Sequence, residues 1–207
     1  MNTPGVRPNA AVATAMVCSG VVTAQFIAGK ATRDALFLAS HHVTMLPAMV
    51  MVTSAVSILL VVASSKALTR VKPGVFVALA FAASASLLMA EWALLPVAPK
   101  IAAVVVYLQI SGIGPMLGSG FWLIASEQFD PRTAKRQFGR ITGAGTLGGL
   151  AGGLLSERVA AAFQISAMLP ILAALNLLCA WLVWRLATSE RTPRRTAGEQ
   201  SPAVLRD

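Results

Sequence analysis

The sequence predicts an all-α membrane protein, a polytopic bundle of six transmembrane helices. Apolar residues make up 56% of the 207 residues, charged residues only 12%, and the mean hydropathy is +0.71. A soluble domain of this length needs a polar shell that such a composition does not provide. Nearly all of the 17 basic and 8 acidic side chains are confined to short gaps between long apolar runs. This pattern excludes soluble globules, disulfide scaffolds and disordered chains.

Six runs approach the roughly 20 apolar residues that cross a hydrocarbon core of about 30 Å. In order, they cover residues 10–28, 43–65, 74–96, 101–126, 138–162 and 165–186. Because backbone groups must be paired inside lipid, each run is expected to be a helix, and the short alternating segments of a barrel are absent from the sequence. We therefore expect an N-terminal segment at 1–9, a six-helix domain at 10–187 and a polar, disordered tail or linker at 188–207.

The distribution of basic residues predicts the orientation. With the N-terminus inside, 13 of the 17 basic residues lie on the cytoplasmic side and 4 on the outer side. This positive-inside bias predicts that both termini face the cytoplasm, in the cytoplasmic (inner) membrane. Topology therefore explains the net charge of +9, and no nucleic-acid partner is expected.

The first helix is expected to continue to about residue 39, through a charged cluster formed by Lys30, Arg33 and Asp34. These residues are spaced i, i+3 and i+4, so they share one helical face and Lys30 can pair with Asp34. Two cations with one carboxylate leave net positive charge for an anionic substrate such as a phosphate. The alternative is a helix end whose charges extend into the lipid headgroups.

Other charged residues are candidates for gating or coupling. Glu91 adjoins Trp92 near the outer end of the third segment, where it is either a coupling group or an interfacial residue. Asp130-Pro131 is a good helix start, and a short helix is expected there. The basic residues around it are typical of a cytoplasmic loop, where they would interact with anionic lipid headgroups. The alternative is that they contact the cytoplasmic ends of other helices during gating. The candidates in this connection are Glu127, Asp130, Arg132, Lys135 and Arg136.

Glycines crowd the start of the fifth segment. The stretch from Gly143 to Gly148 matches a dinucleotide-binding fingerprint, but that motif requires a strand and helix of a soluble unit. Glycines spaced three and four apart instead let membrane helices approach closely. The predicted packing glycines are Gly143, Gly145, Gly148, Gly149, Gly152 and Gly153.

The sequence carries no enzyme signature. His41 and His42 are adjacent, with no third ligand nearby, and the serines lack a plausible base at membrane depth. Cys18 and Cys179 fall inside predicted helices, where a thiol packs as a small hydrophobe. We therefore expect no catalytic residues, no metal and no cofactor.

Three features together resemble a transporter family: the Arg33-Asp34 pair, Phe121-Trp122, and the stretch Lys135-Arg136-Gln137-Phe138-Gly139-Arg140-Ile141-Thr142-Gly143-Ala144-Gly145-Thr146-Leu147-Gly148-Gly149. The family is that of the nucleotide-exchange transporters, the non-mitochondrial ATP/ADP translocase type and its bacterial relatives within the major facilitator fold. The resemblance covers most of the chain and is most specific from Phe121 to Gly153.

The resemblance implies a six-helix half of an antiporter that moves a nucleotide or another organic anion by alternating access. It implies that Lys30, Arg33 and Asp34 bind substrate, and that a second six-helix half or a second copy completes the cavity. The chain departs from the superfamily at 66–73, where the loop keeps its bases but lacks the acidic residue. No register for an internal three-helix repeat emerges. The competing interpretation is a non-transporting membrane subunit or scaffold that packs against another membrane protein.

Overall fold

The chain folds into helices joined by short connections. The computed structural model describes residues 8–128 and 131–188, with side chains described over 12–127 and 137–188. Within those ranges there is no strand, which confirms the all-α prediction. Short 3-10 turns at Val43–Met45 and Ile165–Ala167 precede the second and sixth helices. The helices are α1 Pro8–Ser40, α2 Leu46–Leu68, α3 Pro73–Leu94, α4 Pro99–Gln128, α5 Pro131–Ala162 and α6 Met168–Thr188.

Five of the helices are long and apolar enough to cross a membrane. The spans of the described chain are Val12–Ser40, Val43–Leu68, Pro73–Leu94, Pro99–Glu127 and Ile165–Thr188. The first confirms that α1 continues through its charged cluster. The fifth predicted run lies in α5, which is long enough to cross a membrane but is not among these five apolar spans. Its mean hydropathy is lowered by many glycines and by charged residues near both ends.

The connection before α5 differs from expectation. The sequence predicts a short helix that starts at Asp130-Pro131, whereas the helix that begins at Pro131 continues without a break to Ala162. The physical reason is that no proline interrupts the 32-residue helix after its first position, where a proline is tolerated.

The six helices pack in two layers. The front layer runs α5, α1, α4, α2, and the back layer consists of α3 and α6, which pack on each other and on the two middle helices of the front layer. Successive helices run in opposite directions. We call the end with the α1–α2, α3–α4 and α5–α6 connections the upper end, and the end with the α2–α3 and α4–α5 connections the lower end.

The principal contacts have an internal two-fold relation that the sequence did not reveal. If α1 is exchanged with α4, α2 with α5 and α3 with α6, the α1–α5 contact becomes the α4–α2 contact, and α1–α6 becomes α4–α3. The α1–α4 and α3–α6 contacts map onto themselves. The principal contacts therefore follow the pattern expected of two three-helix units in an inverted repeat.

Buried side chains form one cluster toward each end of the bundle. The lower cluster includes Phe81, Phe121 and both free cysteines, and the upper cluster includes Leu88 and Leu172. Between α3 and α4, Gln109 donates from Nε2 to the Ser84 carbonyl oxygen at 2.9 Å and to Ser84 Oγ at 3.1 Å. Burying a polar group this way requires such partners, so the bond fixes the register of the two helices.

Candidate functional site

The charged cluster of α1 lies near the upper end, but its pairing differs from expectation. Asp34 Oδ1 accepts a hydrogen bond from Arg33 Nε at 3.0 Å, so these two neighbouring residues form an ion pair. The predicted pairing of Lys30 with Asp34 is wrong. The Lys30 ammonium lies 4.3 Å from the centroid of the Phe26 ring, one turn earlier on the same face. Lys30 is exposed, so water also solvates its ammonium group and the attraction to the Phe26 ring is weak.

Arg33 is fixed by α4 as well as by its neighbour. Its Nη1 donates to Ser111 Oγ, and its guanidinium lies 4.8 Å from the centroid of the Tyr107 ring. Only 18% of the Arg33 side chain is exposed. A planar guanidinium held from three sides loses little freedom when it binds a further anion, so this cation is preorganised.

Both cations line a cavity of about 450 Å³ between α1, α2 and α4. The α2 wall contributes hydroxyl groups, and the α4 wall contributes Tyr107 and Ser111. The Thr53 and Ser54 hydroxyl groups donate to carbonyl oxygens of their own helix at 2.7 and 2.8 Å. Their oxygen lone pairs can still accept hydrogen bonds. The cavity therefore combines positive charge, hydroxyl groups and aromatic faces. The polar residues that line it are Lys30, Arg33, Thr53, Ser54, Ser57, Tyr107 and Ser111.

A second cavity of about 310 Å³ continues the first toward the lower end, between α1 and α4. Phe26 and Pro115 line both cavities, so they form the boundary between them. The lower cavity is lined on α1 by Ser19 and Thr23 and on α4 by residues that include Trp122. We call this continuous lining the α1–α4 seam.

Sequence reasoning missed the residues that α2 and α4 contribute. A signal was present: Thr53 and Ser57, like Tyr107 and Ser111, are polar residues four positions apart within apolar spans. Such spacing places both members of a pair on one helical face. The pattern alone does not show that the two faces meet Arg33.

Glu91 is buried rather than interfacial. Its side chain is 2% exposed, and neither carboxylate oxygen has a hydrogen-bond partner among the described residues. Trp92, the next residue along α3, is 43% exposed, so the helix turns the aromatic ring outward and the carboxylate inward. Glu91 does not line the cavity that contains Lys30 and Arg33.

Among the remaining gating candidates, the structure describes only the side chain of Glu127, which does not line the seam. Glu127 is exposed at the lower end of α4. Asp130 lies outside the described residues, and so do the side chains of Arg132, Lys135 and Arg136. They remain predictions from the sequence.

The predicted packing glycines divide between two environments. A methyl group on Gly148 would collide with the Gly20 carbonyl oxygen, and one on Gly152 would collide with that of Ala24. Methyl groups on Gly145 and Gly149 would also meet α1, at 2.8 Å from Ser19 Oγ and 3.4 Å from Thr23 Cγ2. Gly143 and Gly153 have nothing within 4 Å of the added carbon. Close backbone approach of α5 therefore holds α1 from the side opposite α2.

The described residues contain no group of three His, Cys, Asp or Glu side chains that could hold a metal ion. His41 instead stacks on Phe37, with ring centroids 4.7 Å apart, and the His42 ring bonds the Thr44 hydroxyl at 3.1 Å.

No protein-family model, curated protein or solved structure matches the chain. The likeness to nucleotide-exchange transporters rests on the sequence motifs quoted above. The chain is an all-α membrane-type bundle with two cations in a lined cavity.

Proposed function

We propose that this protein is a membrane transporter, or one half of one, that carries an organic anion along the α1–α4 seam. The observation that supports this most directly is the pair of cations, Lys30 and Arg33, in a cavity between three apolar helices. Charged residues within membrane spans are costly, and their usual use is to bind or move ions and substrates. The family resemblance suggests a nucleotide as that anion.

The charge balance of the cavity suits a phosphate-bearing substrate. Asp34 neutralises one of the two cations, so the cluster keeps a net positive charge. In surroundings of lower dielectric than water, attraction between this charge and a phosphate is several times stronger than in solution. Arg33 supplies the planar donor group for two phosphate oxygens, and Lys30, which has no ion-pair partner among the described residues, supplies a mobile second charge.

The size of the cavity is also suitable. Ligand sites commonly enclose about 300–1,000 Å³, and the upper cavity alone measures about 450 Å³. Phe26 and Tyr107 provide aromatic faces, which contact Lys30 and Arg33 respectively in this structure. On substrate binding, movement of a cation toward phosphate exposes such a face to a planar base.

The seam is open on one side, so we propose that a second six-helix half or a second copy of the chain covers it. α1 and α4 occupy the middle of the front layer, with α5 and α2 at its edges. Rocking of one such unit against another would expose the seam alternately to the two sides of the membrane. The positive-inside count favours an orientation in which the lower end and both termini face the cytoplasm.

One feature favours the competing scaffold role. α2 buries only Thr53 and Ser64, so most of its 23 residues face outward. A surface this apolar fits lipid, but it also fits a partner membrane protein. The scaffold role predicts a stable complex and no flux, whereas the transporter role predicts flux that depends on Arg33.

The test is counter-exchange in liposomes that contain the purified protein. Uptake of labelled ATP is measured with ADP, with no nucleotide and with a panel of other organic anions inside. We expect uptake that requires an internal anion and that falls to background in the Lys30→Ala and Arg33→Ala variants. Lys100→Ala is the matched control, because Lys100 is an exposed base at the upper end that does not line the cavity.

Two results would count against the proposal. Undiminished exchange in Arg33→Ala would refute the site, and no flux of any anion from folded protein, alone or with its partner half, would refute transport. Circular dichroism and gel filtration of each variant separate loss of activity from loss of folding.

A further inference from the structure

A third cavity lies on the other side of α4, away from Lys30 and Arg33. It encloses about 430 Å³ between α2, α3 and α4. It forms because α2 packs on α4 and hardly touches α3, so a gap remains between the two helices of this hairpin. Exposed residues line its mouth, among them Val61, Ser65 and Leu123. The cavity is therefore accessible from the surface of the bundle.

The depth of this cavity matches one leaflet of a bilayer. Its lining on α2 runs from Ser57 to Leu68, and on α4 from Gly112 to Leu123. Each stretch rises about 16 Å at 1.5 Å per residue, which is close to half of a hydrocarbon core of about 30 Å. On α3 the lining is confined to the first turns, at Phe76, Val77 and Ala80. The cavity thus occupies the lower half of the bundle and ends where the α2–α3 connection begins.

Three basic residues lie beside the lower end of the cavity. Lys66, Arg70 and Lys72 lie in or beside the connection that follows Leu68, and all three are exposed. The segment 66–72 contains no acidic residue, and none of these bases forms an ion pair among the described residues. The cavity is apolar, about one leaflet deep, and has basic residues beside its lower end. It is therefore complementary to an anionic phospholipid, which has apolar acyl chains and a negatively charged headgroup.

We propose that this cavity is a binding site for one anionic glycerophospholipid, with an acyl chain between α2 and α3 and the phosphate against the bases at 66–72. The lipid fills the gap that the protein leaves in the α2–α3 hairpin and couples the position of α2 to the leaflet at the lower end. α2 also forms the hydroxyl-bearing wall of the anion cavity, and Ser57 lines both cavities. Occupancy by lipid therefore acts on the wall of the anion cavity without contact with the substrate.

Binding is measured on the full-length protein by native mass spectrometry, with phosphatidylglycerol titrated against phosphatidylcholine. We expect one phosphatidylglycerol per chain to remain bound when other lipids dissociate. Replacing Lys66, Arg70 and Lys72 with Gln is expected to weaken its affinity about fivefold per base and about 100-fold together. Lys100→Gln, which removes a base from the upper end, is the matched control and is expected to leave the affinity unchanged.

The acyl-chain part of the site is tested separately. Ala80→Phe places a ring in the cavity and is expected to reduce binding, whereas Ala83→Phe, on the exposed face of α3, is expected to have no effect. A phosphatidylglycerol with a photoreactive group in mid-chain is expected to cross-link to the cavity lining of α2, α3 or α4. If Ala80→Phe prevents folding, the variants at 66, 70 and 72 and the cross-link still decide the question.

Three results would overturn the proposal: equal retention of phosphatidylcholine, full affinity after removal of the three bases, or cross-links confined to other helices. Glycerol 3-phosphate is the headgroup-only probe, and competition by it at the same concentration as the lipid would likewise overturn the proposal, because it would show a phosphate site without an acyl-chain site. Because none of these measurements involves transport, they test the lipid site independently of the proposed function.

Discussion

The contact between α1 and α5 gives the sharpest prediction, because the obstructing atoms belong to backbone. In Gly148→Ala the new methyl carbon would lie 2.6 Å from the Gly20 Cα, besides its collision with the Gly20 carbonyl oxygen. Restoring an ordinary contact of 3.4 Å from 2.6 Å requires the helices to separate by about 0.8 Å or more. No rotamer change relieves the contact, since neither residue has a side chain that can move.

The energetic cost follows from overpacking. Forcing an extra carbon into a well-packed contact typically destabilises a protein by about 1–3 kcal/mol. Replacing Gly with Ala also favours the helix by up to about 1 kcal/mol, which offsets part of the loss. Gly143→Ala receives the same helical gain, but its methyl group meets nothing within 4 Å. The gain therefore cancels in the comparison, and we expect Gly148→Ala to be about 1–3 kcal/mol less stable than Gly143→Ala.

The assay is reversible unfolding in mixed micelles, with increasing SDS and helicity followed by circular dichroism. Gly152→Ala is expected to behave like Gly148→Ala, because its methyl carbon would lie 2.7 Å from the Ala24 Cα. Gly153→Ala is the second control, with open space around its added carbon. If Gly148→Ala and Gly143→Ala unfold at the same SDS fraction, the close approach of α1 and α5 is refuted.

Three further variants test the site and the core. Arg33→Lys keeps the charge but loses the hydrogen bond to Asp34, so we expect anion exchange to fall about tenfold or more with unchanged membrane insertion; initial uptake rates equal to those of the unmodified protein would contradict this. Gln109→Leu removes the bond to Ser84 and is expected to lower stability by about 1 kcal/mol in the SDS assay, whereas an unchanged midpoint would argue against that bond. Glu91→Met removes two buried oxygens that have no hydrogen-bond partner in the described part of the chain, and it is expected to raise stability by about 1–3 kcal/mol; a lower unfolding midpoint would refute this expectation.

Helix positions could be predicted from the sequence because lipid restricts the alternatives. Runs of apolar residues near membrane length must be helical, and the apolar residues after Asp34 correctly predicted that α1 continues to Ser40. Pro131 likewise predicted a helix start, but nothing local to it indicated that the helix would continue through α5. Boundaries depend on local chemistry, whereas length depends on what the whole helix packs against.

The partners of the site residues could not be predicted, because they depend on helix rotation and neighbours. Spacing alone favoured Lys30 for Asp34, but Arg33 meets α4 and remains within reach of the adjacent carboxylate. Glu91 beside Trp92 suggested an interfacial pair, yet adjacent residues on a helix point about 100° apart and only one of them is buried.

The α1–α5 contact also has a consequence for biosynthesis. Gly20 and Gly148 are 128 positions apart (148 − 20). At about 5–20 residues per second, a ribosome needs about 6–26 s to add that length. α1 is thus made before α5, and during this interval the surface around Gly20 and Ala24 has no α5 to contact. A nascent chain that stops before position 148 therefore leaves this small-residue surface of α1 without the helix that packs against it in the complete bundle.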